Sequence, residues 1–298
     1  MSFKLAIASG KGGTGKTTIA INLYYYLSRL MEQEVTLVDC DVEVPNDVLF
    51  FRDAQLNATQ KVEQLIPHIN QEKCTFCGSC VEYCSFNAIS LIKSLHHASI
   101  SSDLCHSCGA CLLACQYDAI SEHPKEVGIV NYYSTPFGAG LSEGRLNIGS
   151  SMQTFMIKAT KQQAPKGKAI TIMDAPPGTS CPVVETVADA DYVVLVAEPT
   201  PFGLHDMKLM VSLLNDLHLP FGIVVNKYGY GSDETLDFIN ENQLDLLAKI
   251  PFDRAYANAY SKGQLTSGSS DSIKNTFSML TQKIVDVYQQ QNSNTLHQ

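Results

Sequence analysis

A short apolar strand that runs straight into a glycine-rich loop, and from there into a helix, leaves a chain few folds to choose from. Here Leu5–Ala8 is apolar, residues 10–18 read Gly-Lys-Gly-Gly-Thr-Gly-Lys-Thr-Thr, and Lys16–Leu30 follows with helical spacing of its apolar side chains. Glycines let successive backbone N–H groups curl around phosphate oxygens, and the helix N-terminus adds a favourable dipole. The pattern puts Lys16 on the β- and γ-phosphates of a nucleotide and the Thr17 hydroxyl on Mg²⁺. Gly12, Gly13, Thr14, Gly15 and Thr18 complete the expected cradle.

Short apolar runs recur along the chain at Val35–Val38, Ala169–Met173, Tyr192–Ala197, Phe221–Val225 and Leu246–Ile250. Helical patterns separate most of them: Pro182–Ala188, Leu204–Leu217 and Glu234–Asn242. Strands that are apolar throughout and alternate with helices predict a mostly parallel, doubly wound α/β sheet covered on both faces. The alternation breaks between residues 67 and 122, and Val127–Ile148 that follows is glycine-rich, a composition of loops and short strands. The expected organisation is therefore one α/β domain, residues 1–66 and 123–298, interrupted by a small domain at 67–122. A final helix at Ile273–Tyr288 carries Ile273, Phe277, Leu280, Ile284 and Val287 at helical spacing and is expected to pack on the core.

The extra lysine ahead of the Gly-Gly pair, Lys11, makes the loop resemble the deviant Walker A motif of the MinD/ParA group of P-loop ATPases. Further matches occur in the group's order. Val38-Asp39-Cys40-Asp41 is followed by Pro45-Asn46, and Met173-Asp174-Ala175-Pro176-Pro177-Gly178-Thr179 resembles the second switch segment. The resemblance implies ATP and Mg²⁺ as cofactors and a dimer, of two copies or of two paralogues, with nucleotide at its interface. It implies that Lys11 reaches the partner's nucleotide, that Asp41 positions the attacking water and supports Mg²⁺, and that Asn46 faces the partner. It further implies that Asp174 holds a metal-bound water and Gly178 approaches the γ-phosphate. Asn226 matches the base-contacting position and Pro251 the backbone contact to adenine. Carboxylates at strand ends suit this chemistry, because hard cations take oxygen ligands and phosphoryl transfer is mainly positioning and charge neutralisation.

Of the ten cysteines, eight fall between Cys74 and Cys115. Cys74, Cys77, Cys80 and Cys84 are spaced x2, x2, x3, and Cys105, Cys108, Cys111 and Cys115 repeat that spacing. This is the bacterial ferredoxin run, in which the fourth cysteine serves the other cluster. Three closely spaced thiolates can wrap only one face of a cubane, so the fourth ligand comes from elsewhere. The expected sets are Cys74, Cys77, Cys80 and Cys115 for one [4Fe–4S] cluster, and Cys105, Cys108, Cys111 and Cys84 for the other. The segment resembles a two-cluster ferredoxin domain of α+β type, although Ser85 and Gln116 stand where proline usually follows the fourth cysteine. Zinc is the alternative, but zinc sites separate their two Cys-x2-Cys pairs. Cys40 and Cys181 are read as packing cysteines.

Charge and length exclude other classes. The net charge of −9 argues against nucleic-acid binding through the bulk surface. No window reaches 18 uncharged apolar residues, so no stable membrane insertion is expected. The last helix offers only Lys274 and Lys283, too few for a basic membrane-surface helix. Clustered thiols in a chain without an export signal point to a cytoplasmic protein with metal or redox chemistry. Three functions follow. The leading one is an Mg-ATP-hydrolysing iron–sulfur protein whose nucleotide state controls electron transfer to an unidentified redox partner. The alternatives are an iron–sulfur assembly or carrier ATPase, and a MinD-like positioning ATPase with a structural cluster domain. Carriers of the related Mrp group use a late Cys-x2-Cys pair, and none follows Cys181.

Overall fold

The computed structural model describes residues 2–32, 34–137, 140–165, 167–265 and 270–295. In chain order its elements are β1 (Phe3–Ala8), α1 (Lys16–Leu30), β2 (Val35–Asp39), β3 (Gln55–Ile69), α2 (Ser79–Glu82), β4 (Ile89–Ile92) and β5 (His97–Ile100). There follow α3 (Ala110–Ala114), β6 (Ile120–Ser134), β7 (Leu141–Leu146), α4 (Gln153–Gln163), β8 (Ile170–Asp174), α5 (Cys181–Val187) and β9 (Tyr192–Ala197). The chain ends with α6 (Pro201–Asp216), β10 (Phe221–Tyr228), α7 (Glu234–Glu241), β11 (Leu246–Pro251), α8 (Arg254–Tyr260) and α9 (Asp271–Thr295). Two compact units emerge: residues 1–59, 130–145 and 157–298, and residues 60–129 with 146–156. The chain crosses between them within β3, β6, β7 and α4.

The expected doubly wound sheet is present, its strands β11, β10, β9, β1, β8 and β2 lying wholly in the larger unit. The strand order is β11-β10-β9-β1-β8-β2-β7-β6-β3. Every pair from β11 to β7 is parallel. Strands β2 and β9 are buried along their whole length, which is why they read as continuous apolar runs. The helix α1 lays Ile19, Leu23, Tyr24 and Leu27 on this sheet, all fully buried. The last helix does the same with Ile273, Phe277, Leu280 and Ile284, and joins the same core.

Two strands depart from the expected pattern. Residues 55–69 form a 15-residue strand whose first seven residues are exposed, so no apolar alternation announces it. The glycine-rich stretch after the cysteines opens with the second half of another 15-residue strand, β6. Both strands take their places from the sheet they extend rather than from their own propensity.

The smaller unit is built on a repeat of 31 residues. Strands β4 and β5 form an antiparallel pair, Ile89 opposite Ile100 and Ile92 opposite His97. The amide of Asn70 donates to Ala119 O at 2.8 Å, and that of Ser101 to Ala88 O at 2.8 Å. Cys74 N donates to Asn70 O and Cys105 N to Ser101 O. Positive φ recurs at Phe76 and Ser107, Gly78 and Gly109, Asn87 and Asp118. Ile69, Ile89, Ala98 and Cys111 form its small apolar core.

Candidate functional site

The glycine-rich loop lies at the C-terminal end of β1, the edge of a parallel sheet where α/β proteins bind ligands. Gly15 caps α1 in the left-handed region at φ 98°. A side chain there would also meet Asn226, whose Nδ2 would stand 2.2 Å from the new Cβ. Asn226, at the end of β10, donates Nδ2 to Thr14 O at 2.8 Å. Its neighbour Lys227 donates Nζ to Gly13 O at 2.7 Å and pairs with Glu198 at 2.9 Å. Glu198, at the end of β9, also takes the ammonium of Lys11. Burial works to raise the Glu198 carboxyl, but hydrogen bonds from Lys11 and Lys227 outweigh it and hold it below its usual range.

The expected residues Lys16, Thr17, Asp41, Asp174 and Gly178 converge on this edge. Thr17 donates its hydroxyl to Asp174 Oδ2 at 2.6 Å. Gly178, at φ +101°, donates its amide to Ser9 O at 3.1 Å, tying the second switch-like segment to the start of the loop. Lys16 is buried. Burial raises the carboxyls of Asp41 and Asp174, and Lys16 pulls against it in both. Pro251 ends β11 opposite Tyr228, with the ring of Phe252 5.1 Å from that of Tyr230 and tilted 35° to it.

Two buried carboxylates were missed in the sequence. Asp39 ends β2 in register with Asp174 and accepts three backbone N–H bonds, from Asp41 at 3.1 Å, Asn46 at 2.9 Å and Asp47 at 3.1 Å. These bonds fix the turn that presents Asp41 and Asn46. Burial and the charge of Asp174 nevertheless push Asp39 up to about 8. Asp47 is wholly buried, and burial beside Asp39 raises it well above the carboxylate range. The Asp-x-Asp at a strand end was the available signal for Asp39; Asp47 had none.

Whether Mg²⁺ and phosphate fit here can be asked of the polar atoms. Thr14 Oγ1, Asp174 Oδ1 and both Asp47 carboxyl oxygens are buried without a hydrogen-bond partner. Buried polar atoms of this kind are paired in native proteins. A hydrated cation would offer the carboxyl oxygens donors and charge, and a phosphate oxygen would offer the Thr14 hydroxyl an acceptor.

In the smaller unit, one cavity is lined by Cys74, Cys77, Cys80 and Cys115 among Ile69, Phe76, Leu91 and Ala98. A second is lined by Cys84, Cys105, Cys108 and Cys111 among Pro67, Phe86, Ile89 and Ile100. Backbone amides reach the sulfurs: Phe76 N to Cys74 Sγ, Ser107 N to Cys105 Sγ and Ala88 N to Cys84 Sγ, each at 3.4 Å. Burial raises the thiols of Cys80 and Cys111, the latter to about 11. Two pockets with four sulfur donors each, apolar walls and amides aimed at sulfur suit a soft, multi-iron group. Among the described residues, no three His, Cys, Asp or Glu side chains gather closely enough to hold a single metal ion.

Cys40 is buried in the core as expected. Cys181 is not: at the first residue of α5 its side chain is exposed, so packing does not account for it. Among the described residues, no helix is long and apolar enough to cross a membrane.

Fold and loop define a nucleotide-binding α/β protein. The family model of the CobQ/CobB/MinD/ParA nucleotide binding domain (CbiA) matches residues 5–266, and the chain belongs to that family. Two uncharacterized proteins of Methanocaldococcus jannaschii are similar over nearly their full length. MJ0578 is 35% identical over 94% of this chain and 97% of its own. MJ0579 is 32% identical over 87% and 90%. An iron-sulfur cluster carrier protein of Aquifex aeolicus is 24% identical over 87% of this chain and 60% of its own. Among solved structures, the cell division ATPase MinD of Pyrococcus furiosus superposes with a TM-score of 0.57 at 20% identity, covering 96% of this chain and all of that one.

Proposed function

We propose that this protein is a Mg²⁺-dependent ATPase that holds two [4Fe–4S] clusters and couples its nucleotide state to electron transfer through them. The partition of eight cysteines into two four-cysteine cavities, in a chain of this nucleotide-binding family, carries the reading. Cys74, Cys77, Cys80 and Cys115 would hold one cluster and Cys84, Cys105, Cys108 and Cys111 the other. Bound there, each cluster supplies storage for one electron.

At the nucleotide end, Gly12 to Thr18 bind the phosphates of ATP and Lys16 neutralises their charge. Thr17 and Asp174, already hydrogen-bonded to each other, orient Mg²⁺ and its waters. Asp41 holds the attacking water, and Asp39 fixes the turn that presents it. Pro251 and the Tyr230–Phe252 pair border the base. Lys11 serves a second copy or a paralogue facing across the nucleotide, and Asn46 faces that partner. Phosphoryl transfer needs this positioning and charge neutralisation more than covalent help from the protein.

Electrons come from and go to a separate redox partner. A second reading, iron–sulfur carriage, is favoured by the similarity to the Aquifex aeolicus carrier. Anaerobic preparation followed by iron, sulfide and zinc analysis tests the cluster reading: eight irons per chain are expected, and zinc in their place overturns it. Transfer of iron to an apo-ferredoxin, accelerated by ATP, would favour carriage over electron transfer.

A further inference from the structure

The 31-residue repeat makes each half of the smaller unit a control for the other. The backbone is the same at corresponding positions: Phe76 and Ser107, and Gly78 and Gly109, share positive φ, and both first cysteines accept a backbone amide at 3.4 Å. What differs is the side chains around the exposed middle cysteine. On one side, Ser79 Oγ lies 3.5 Å from Cys77 Sγ. The corresponding residue beside Cys108 is Ala110, which has no donor. Thr75 lines the first cavity and its counterpart His106 the second, where its ring is stacked on Phe86 at 3.9 Å.

A charge follows the same division. Lys93 Nζ comes within 3.9 Å of where a Cβ on Gly78 would stand, between Cys77 and Ser79. A Cβ on Gly109 would meet nothing within 4 Å, and the residue matching Lys93 is Pro124. The opposing charges on this side are Glu72 and Glu82, two residues from Cys74 and Cys80, and Asp118, three residues after Cys115; all three are exposed and so screened by solvent.

Donors and positive charge at thiolate sulfur stabilise the more negative, reduced state of an iron–sulfur cluster. Resting on the two-cluster reading above, we propose that Thr75, Ser79 and Lys93 give the cluster on Cys74, Cys77, Cys80 and Cys115 the higher reduction potential of the two. The first electron into the unit then settles there, taking [4Fe–4S]²⁺ to [4Fe–4S]⁺ with no bond made or broken and no proton taken up. The polarity of the electron path is thus written in one half of a duplicated backbone.

The test is an anaerobic titration with dithionite of the iron-loaded full chain, followed by electron paramagnetic resonance, with iron counted on the same sample. Two midpoints are expected. Thr75→Ala with Ser79→Ala should lower the higher midpoint and leave the lower one in place, and Ala110→Ser should raise the lower one. With eight irons present, a double variant that moves neither midpoint, or only the lower, overturns the assignment. If that variant fails to load iron, Ala110→Ser decides: an unmoved lower midpoint overturns it. Wild-type protein without two clusters' worth of iron overturns the two-cluster reading itself, and this assignment with it.

Discussion

Replacing Asn226 separates two roles that a residue at this position can have. By resemblance it touches the nucleotide base; in the structure its buried amide is bonded to the phosphate loop, Nδ2 to Thr14 O at 2.8 Å. Asn226→Ala leaves that carbonyl without its buried donor, a loss of roughly 1–3 kcal/mol. The second tie, Lys227 to Gly13 O at 2.7 Å, persists, so the loop loosens without collapsing. The cost falls due when phosphate orders the loop. At about 1.4 kcal/mol per factor of ten, Mg-ATP binding should weaken roughly 5- to 150-fold. Because the damage is to the loop, Mg-GTP and Mg-tripolyphosphate should weaken by a similar factor. Calorimetric titration of the three ligands against wild type and variant reads this directly. Loss confined to ATP, with tripolyphosphate unaffected, would refute the bracing role.

Other perturbations follow from the same contacts. Gly15→Ala asks a side chain to take φ 98° and to overlap the Asn226 amide, so the variant should lose Mg-ATP binding outright while keeping its iron. Burial raises the carboxyls of Asp39, Asp47 and Asp174 in the folded, nucleotide-free protein, Asp39 to about 8, so each holds its proton more tightly than in the unfolded chain. The native state then binds more protons than the unfolded one from about pH 4 to pH 8, so stability falls as pH rises through that window. The urea midpoint should drop between about pH 5 and pH 8, and Asp47→Asn should flatten the slope. Cys115→Ser should cost the cluster shared with Cys74, Cys77 and Cys80 and spare the other, halving the iron; loss of the cluster on Cys105, Cys108 and Cys111 instead would reverse the pairing.

Where apolar pattern and local chemistry agree, the fold is legible in the order of the amino acids alone. The first helix begins at Lys16 and ends at Leu30, as its spacing and the glycine before it require, and β9 covers Tyr192–Ala197. The strand β3 is not legible, because its exposed half at the sheet edge owes its pairing to neighbours far along the chain, and β6 is legible only in its buried second half, its first half being polar. At the site, Lys16, Thr17 and Asp174 announce themselves by type and place. Asp39 hides beside the more conspicuous Asp41, and only the three amides it accepts reveal what it organises. Glu198 is a similar case: Lys11 and Lys227 meet on it from distant segments on either side, a convergence that only folding makes. Cys181 reads as one more packed thiol, yet its side chain is exposed.

Coupling between the nucleotide and the clusters is best tested by one titration. The reduction potentials of the iron-loaded protein are measured anaerobically with and without Mg-ATP, in wild type and in Lys16→Ala. Coupling predicts that Mg-ATP shifts at least one potential in wild type and neither in the variant, whose clusters stay intact. Potentials that stay the same with and without Mg-ATP in wild-type protein that demonstrably binds it would contradict the coupling.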